Sequence, residues 1–280
     1  MTIEGTRDAI IERAPAKLNL ALHVRRRRSD GYHDIETLFA FCRDGDAISL
    51  APARSDSFAI NGPFGAALAR EGDNLVTRAR DAFRAAFGDS ACCAIVLEKN
   101  LPVASGIGGG SADAAATLRA LARRHGVALD DARLFEIAAR LGADVPACLM
   151  GQSAIGYGRG DDLRPIAGLG GKAALLVNPG AAVSTARVFA GWDGEDRGPI
   201  SGGDPAGDRN DLTAAAIAIA PVIASVLGVL ERQPGVELAR MSGSGATCFA
   251  LFDTASAAHA ATGAIAARQP DWWILETSLA

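Results

Sequence analysis

The chain has 280 residues, 49% hydrophobic and 21% charged, with a formal net charge of −4. That length suits one large domain or two medium ones, and the apolar share excludes a chain disordered throughout. A general affinity for nucleic acid would need the opposite sign of charge. From Lys17 to Val24 the residues alternate, with Leu18, Leu20, Leu22 and Val24 on one face and Lys17, Asn19, Ala21 and His23 on the other. This predicts a half-buried strand with Lys17 and Asn19 on its more polar face. Arg25 to Arg28 follow, then the turn signal Ser29-Asp30-Gly31. Alternation sends two of these arginines to each face, and Asp30, Asp34 and Glu36 supply counter-charge, so the run reads as a solvated strand end rather than a nucleic-acid site.

Ala47 to Leu50 and Phe58 to Ile60 predict two more short strands. Leu75, Val76, Ala79, Phe83 and Phe87 recur at helical spacing after Asp73-Asn74, a capping signal. Cys92 to Leu97 predicts a strand on which Cys92 and Cys93 face opposite ways. The glycine-rich stretch Leu101 to Ser111 leads into an alanine-rich helix for which Ser111 is the expected cap, with Asp113 placed to favour the positive end of the helix dipole. A further helix is predicted from Asp131 to Leu141, stopped by Gly142, because Asp144-Val145-Pro146 does not continue it easily. Gly156 to Gly160 and Gly168 to Gly171 mark a boundary, giving domains over 1–160 and 161–280. Beyond it come a strand at Ala173 to Val177, an exposed loop from Gly191 to Asp208, a helix from near Asp211, and a second glycine motif, Ser242-Gly243-Ser244-Gly245, before a strand at Thr247 to Phe252. Strands and helices mixed without strict βαβ alternation indicate an α+β fold.

Five cysteines, odd in number and without Cys-x-x-Cys spacing, read as small buried hydrophobes in a reducing compartment. Met1 to Glu12 has no basic segment leading into an apolar stretch, and no apolar run is long enough to span a bilayer. The expectation is a cytoplasmic protein without a membrane partner. No HExxH or Cys/His spacing suggests a structural metal, and His23, His125 and His259 have no matching partners.

Four glycines within five residues before a helix let backbone N–H groups approach an anion, and the helix N-terminus adds free donors. The stretch therefore reads as a phosphate cradle. It is not a Walker A loop, because no Gly-Lys-Ser/Thr exists, and it is not a Rossmann fingerprint, because Ser111 stands where glycine or alanine is needed. The protein-kinase triplets are absent as well.

Pro102 to Ala112 resembles the phosphate loop of the GHMP kinases, named for galactokinase, homoserine kinase, mevalonate kinase and phosphomevalonate kinase. Ala14-Pro15-Ala16-Lys17-Leu18-Asn19-Leu20, Asp30-Gly31-Tyr32-His33, Leu141 to Pro146 and Met241 to Ala246 are similar, in the same order, to one branch of that family, which acts in the non-mevalonate isoprenoid pathway. Many relatives carry more glycine where Ala104 and Ser105 stand. The resemblance implies a two-lobed fold with the active site between the lobes, and transfer of a phosphoryl group from ATP, as its Mg²⁺ complex, to a hydroxyl of a small molecule with a cytidine diphosphate head. It implies that Pro102, Val103, Ala104, Ser105, Gly106, Ile107, Gly108, Gly109, Gly110, Ser111 and Ala112 hold the ATP phosphates. Asp144 is then the catalytic base and Lys17 a cation that supports it, with Asn19, Tyr32, His33 and Phe189 contacting substrate. Asn74 and Lys99 are candidates for the adenine side, and no side chain is assigned to the metal. A GHMP kinase for another alcohol, such as homoserine or mevalonate, and a nucleotide-binding protein without catalysis are the alternatives. Tyr32-His33 argues against the first, and the intact Lys17 and Asp144 argue against the second.

Overall fold

The strand predicted at Lys17 is longer than its alternating centre. In the computed structural model, which describes residues 9–68, 74–202 and 204–280, β1 runs over Ile10–Arg27. The chain start up to Asp8, and Asp73 of the expected helix cap, lie outside the described residues. The short strand expected at Ala47 is the end of β2, His33–Pro52. The middle of β2, Leu38 to Cys42, is a continuous buried apolar run, so no period of two marks it. Gly45 keeps this strand beside its neighbour, because a Cβ there would collide with the Ala14 carbonyl oxygen.

The described residues form two compact units. The first comprises those before Lys17 with those of Asp44–Val103 and Gly109–Met150; the second comprises Lys17–Arg43, Ala104–Gly108 and those of Gly151–Ala280. In the first, β3 (Ser57–Asn61) lies parallel to β4 (Cys93–Glu98), and β4 pairs antiparallel with the end of β2. Its helices are α1 (Gly65–Leu68), α2 (Leu75–Phe87), α3 (Gly109–His125), α4 (Ala132–Leu141) and α5 (Val145–Met150). Asn74 caps α2, its side chain accepting from the Val76 N–H, and Asp131 caps α4. Helix α3 packs against α2, α4 and α5, and its run of buried alanines suits that crowding. It begins at Gly109, three residues earlier than a helix capped by Ser111 would, so Ser111 lies inside it rather than capping it, and Asp113 is in its second turn. Pro146 sits in the first turn of α5, where its missing N–H leaves no bond unmade.

In the second unit the start of β2 pairs antiparallel with β5 (Ala154–Tyr157), which pairs with β6 (Asp162–Pro165). A separate antiparallel sheet has the order β10-β7-β9-β8, formed by β7 (Ala173–Asn178), β8 (Val236–Met241), β9 (Cys248–Phe252) and β10 (Trp273–Ser278). Helices α6 (Thr185–Ala190), α7 (Thr213–Ile219), α8 (Val222–Glu231) and α9 (Ala255–Arg268) complete it. Leu175, Val177, Ile223, Val226, Leu230, Phe252 and Ile265 form its core, each such side chain contributing roughly 1.5–3 kcal/mol on burial.

Two expectations about exposure need correction. The polar face of β1 is not at the surface: Lys17, Asn19 and His23 are 1–2% exposed. Residues far along the chain cover it, with the Leu22 N–H bonded to the Arg209 carbonyl and the Asn19 N–H to Ser242 Oγ. The loop expected to be exposed after Gly191 is so at Asp193 to Asp196, but Trp192, Pro205 and Asp208 are buried. The five cysteines are free, four buried and Cys92 half-buried. Among the described residues no helix is long and apolar enough to cross a membrane.

Candidate active site

The glycine loop is held differently along its length. Its middle, Ala104–Gly108, belongs to the second unit, and the residues from Gly109 onward belong to the first. Gly106 has φ +79°, and a Cβ there would lie 2.6 Å from the Ser242 carbonyl oxygen and 2.7 Å from that of Gly245. Ser242 Oγ donates to the Gly106 carbonyl at 3.0 Å, and the Thr247 N–H donates to the Ser105 carbonyl at 3.1 Å. The two glycine motifs seen in the sequence therefore interlock, each lacking side chains where the other's backbone passes. Gly108 lies against Lys17, where a Cβ would come 2.9 Å from Cε, and the Lys17 N–H donates to the Ile107 carbonyl at 2.9 Å. Ala104 adopts φ +51°, a left-handed conformation that glycine takes more readily than alanine.

Lys17 and Asn19 meet as the alternation required: Lys17 Nζ donates to Asn19 Oδ1 at 2.8 Å and stands 5.3 Å from the centre of the Phe39 ring. Asn19 Nδ2 donates to Thr37 Oγ1 at 2.7 Å, and that hydroxyl donates to the Ala21 carbonyl at 2.8 Å. Asn19 thus fixes the ammonium of Lys17. Asp144 belongs to the first unit, half-buried just before α5, with its carbonyl accepting from the Cys148 N–H at 3.1 Å.

A second buried lysine lies at the ends of the loop. Lys99 Nζ contacts Asp46 Oδ2 at 2.5 Å and Asp113 Oδ2 at 2.8 Å, and all three residues are at most 2% exposed. Asp46 Oδ1 accepts the Leu101 N–H at 2.8 Å, where the loop begins, and a Cβ on Gly109 would lie 2.9 Å from Lys99 Nζ, where α3 begins. Burial opposes the charge on Lys99, but the two carboxylates outweigh it and raise its pKa. Burial pushes Asp113 up to about 7, against the pull of Lys99 and with the help of the Asp46 charge. Asp113 Oδ1 is buried and has no hydrogen-bond partner. The helix-start role expected for Asp113 is therefore replaced by a place in this triad. Of the two candidates for the adenine side, Lys99 is enclosed by carboxylates, and Asn74 commits its side-chain oxygen to the cap of α2.

Tyr32 and His33 lie at the turn and start of β2. Tyr32 is 54% exposed, and the Arg159 guanidinium stands 5.4 Å from its ring centre. His33 faces Phe189 of α6, with ring centres 5.1 Å apart and planes inclined by 38°. Burial, aided by the Arg27 charge, holds the His33 pKa below its ordinary value. Sequence reasoning missed Trp192, whose ring meets His33 edge-on at 5.8 Å. An isolated tryptophan in a glycine- and aspartate-rich loop was the available signal. The arginine run has counter-charges as expected, Arg26 and Arg28 pairing with Asp34 and Arg28 with Asp30, but Arg25 and Arg27 also reach the loop after α6.

An α+β fold with a glycine loop entering a buried helix, and with a lysine packed against that loop, defines a class of small-molecule kinase. Residues 74–152 match the family described as GHMP kinases N terminal domain, and residues 201–271 match GHMP kinases C terminal. The chain belongs to the GHMP kinase family. It is 55% identical over 276 residues to the 4-diphosphocytidyl-2-C-methyl-D-erythritol kinase of Rhizorhabdus wittichii, covering 96% of this chain and 94% of that one. It is 50% identical over 277 residues to the protein of the same name from Sphingopyxis alaskensis, covering 94% and 96%. A crystal structure of 4-(cytidine 5'-diphospho)-2C-methyl-D-erythritol kinase matches with a TM-score of 0.81 at 34% identity, over 96% of this chain and 99% of that one.

Proposed function

We propose that the protein transfers the γ-phosphoryl group of ATP to a hydroxyl of 4-diphosphocytidyl-2-C-methyl-D-erythritol, giving the 2-phosphate. The observation that carries this reading is the 55% identity, over nearly the whole chain, to a relative of that name. The paired rings of His33 and Phe189, with the exposed ring of Tyr32 next in the chain to His33, support a flat, polar-edged head group such as cytosine.

In this reading Asp144 accepts the proton of the substrate hydroxyl, the hydroxyl oxygen bonds to the γ-phosphorus, and the bond from that phosphorus to the bridging oxygen breaks, releasing ADP. Lys17 offsets the charge gathering on the transferred group, and Asn19 keeps its ammonium aimed. Backbone N–H groups from Ala104 to Ser111 hold the phosphates, glycine at 106 and at 108 to 110 keeping that stretch of backbone free of side chains. Mg²⁺ supplies charge neutralisation when bound. Among the described residues no group of three His, Cys, Asp or Glu side chains stands ready for a metal, which suits an ion carried largely by the phosphate oxygens of ATP. The matched family segments lie on either side of a division after Gly160, and the five free cysteines suit a reducing cytoplasm.

The test is ADP release by purified protein with Mg-ATP. The cytidine-diphosphate alcohol is expected to react far faster than the same alcohol without its head. Equal rates on both would remove the head-group reading, and no release with either would remove the kinase reading.

A further inference from the structure

The rings around His33 are arranged by residues outside the recognised motifs. Phe189 and Trp192 belong to one turn, the Trp192 N–H donating to the Phe189 carbonyl at 3.2 Å, so both rings come from the end of α6. Arg27 closes that end: one of its nitrogens donates to the Trp192 carbonyl at 2.7 Å and to the Ala190 carbonyl at 3.1 Å. A cation on carbonyls at a helix C-terminus is favourable to both and fixes where the turn sits. Trp192 is 4% exposed, although it lies in an otherwise exposed stretch. It meets His33 at an interplanar angle of 83°, the edge-to-face arrangement that aromatic pairs favour. His33 Nε2 is buried and has no hydrogen-bond partner. An enclosed ring with one nitrogen uncommitted can exchange a hydrogen bond with the polar edge of a base, provided that the ring does not turn.

We propose that Trp192, held in place by Arg27, is a positioning residue that fixes the His33 ring for recognition of the substrate's nucleobase. This role rests on the head-group reading. Phe189 covers one side of the imidazole and Trp192 blocks its rotation, so Nε2 stays aimed in one direction. The low pKa of His33 fits this arrangement: an enclosed ring beside the Arg27 charge stays neutral and keeps one donor and one acceptor nitrogen. Neither Trp192 nor Arg27 touches the reacting hydroxyl in this assignment, so their effect belongs in substrate affinity and not in turnover.

The experiment is steady-state kinetics on Trp192→Ala, Trp192→Phe and Arg27→Ala, with KM for the cytidine-headed alcohol, KM for ATP and kcat measured separately. Trp192→Ala is expected to raise KM for the cytidine substrate roughly two- to twelvefold, the range that an edge-to-face pair supports. KM for ATP and kcat stay within about twofold, and Trp192→Phe, which keeps a ring edge, recovers most of the loss. Arg27→Ala acts in the same direction; being an exposed change, it keeps the test open if Trp192→Ala does not fold. NMR titration of His33 gives a second readout, its pKa rising in Trp192→Ala as water reaches the ring. An unchanged cytidine KM in both alanine variants, or a phenylalanine variant as impaired as the alanine one, overturns the proposal. A wild type that does not prefer the cytidine-headed alcohol removes the head-group reading, and the positioning role falls with it. Wild-type preference with indifferent variants removes the positioning role alone.

Discussion

Asp113 gives the sharpest physical test, because its environment pulls two ways. Lys99 favours its carboxylate, while burial and the nearby Asp46 charge favour its neutral form, and the balance raises its pKa from the ordinary 3.8 to about 7. A carboxyl group whose folded pKa lies above its unfolded one stabilises the fold fully at low pH and loses that contribution as pH rises through the folded value. From 3.8 to about 7 the ceiling is about 4 kcal/mol, of which about 2–3 kcal/mol falls between pH 5 and pH 8. Asp113→Asn keeps an oxygen for Lys99 Nζ and cannot ionise, so it should not show this loss. Urea unfolding of both proteins, followed by circular dichroism at each pH, isolates the group, because titrations common to both cancel. The variant should gain on the wild type by about 2–3 kcal/mol from pH 5 to pH 8. A difference that stays flat over that range would mean that the Lys99 ion pair dominates and that Asp113 is a charged carboxylate throughout. Lys99→Met has the opposite sign: it leaves two buried carboxylates without their cation and should cost about 3–5 kcal/mol at neutral pH.

The loop and the chemistry give two further expectations. Gly106→Ala forces a side chain into a left-handed conformation against two carbonyl oxygens. Strain of about 1–3 kcal/mol should lower ATP affinity roughly five- to hundredfold in a titration while the circular dichroism spectrum is kept, and unchanged affinity would count against the cradle. Asp144→Asn should lower the single-turnover rate by about 10²–10⁴ with little change in substrate affinity. Lys17→Met should lower it too, and if both act at one reacting hydroxyl the double variant loses less than the product of the single losses. A near-normal rate for Asp144→Asn would mean that another group takes the proton.

The local rules of sequence carried most of the first unit. Asn74 and Asp131 cap the helices that follow them, and Gly142 ends α4 as expected. Patterns failed where burial was two-sided or came from far along the chain. The middle of β2 is apolar at every residue, so the alternation that reveals a strand is missing there. The face of β1 that carries Lys17, Asn19 and His23 looks like a solvent face, and it is buried because residues near 209 and 242 close over it. Both glycine motifs could be read from spacing, but not that Gly106 leaves room for the backbone of Ser242 and Gly245, or Gly243 for the carbonyl of Gly106. The Ser242 hydroxyl meets the Gly106 carbonyl across a sequence separation of 136 residues, and a contact at that distance leaves no local trace.

Lysine usage carries more information than the pattern did. The chain holds 28 lysines and arginines, of which only Lys17, Lys99 and Lys172 are lysine. Two of these three are buried, and both lie against the glycine loop, Lys17 at Gly108 and Lys99 at Gly109. Guanidinium is planar and broad, whereas ammonium is compact and fits beneath a backbone that has no side chains to spare. Where arginine is the habitual surface cation, a retained lysine marks a place where the larger head does not fit. The same reasoning picks out Lys99 as readily as Lys17, although Lys99 sits at the end of an ordinary strand with no polar face to draw attention to it. Lys172 shows the limit of the argument: it is partly exposed and paired with Glu237, so scarcity alone does not identify a buried site. What separates the buried pair is the second condition, a glycine whose Cβ would occupy the lysine's space.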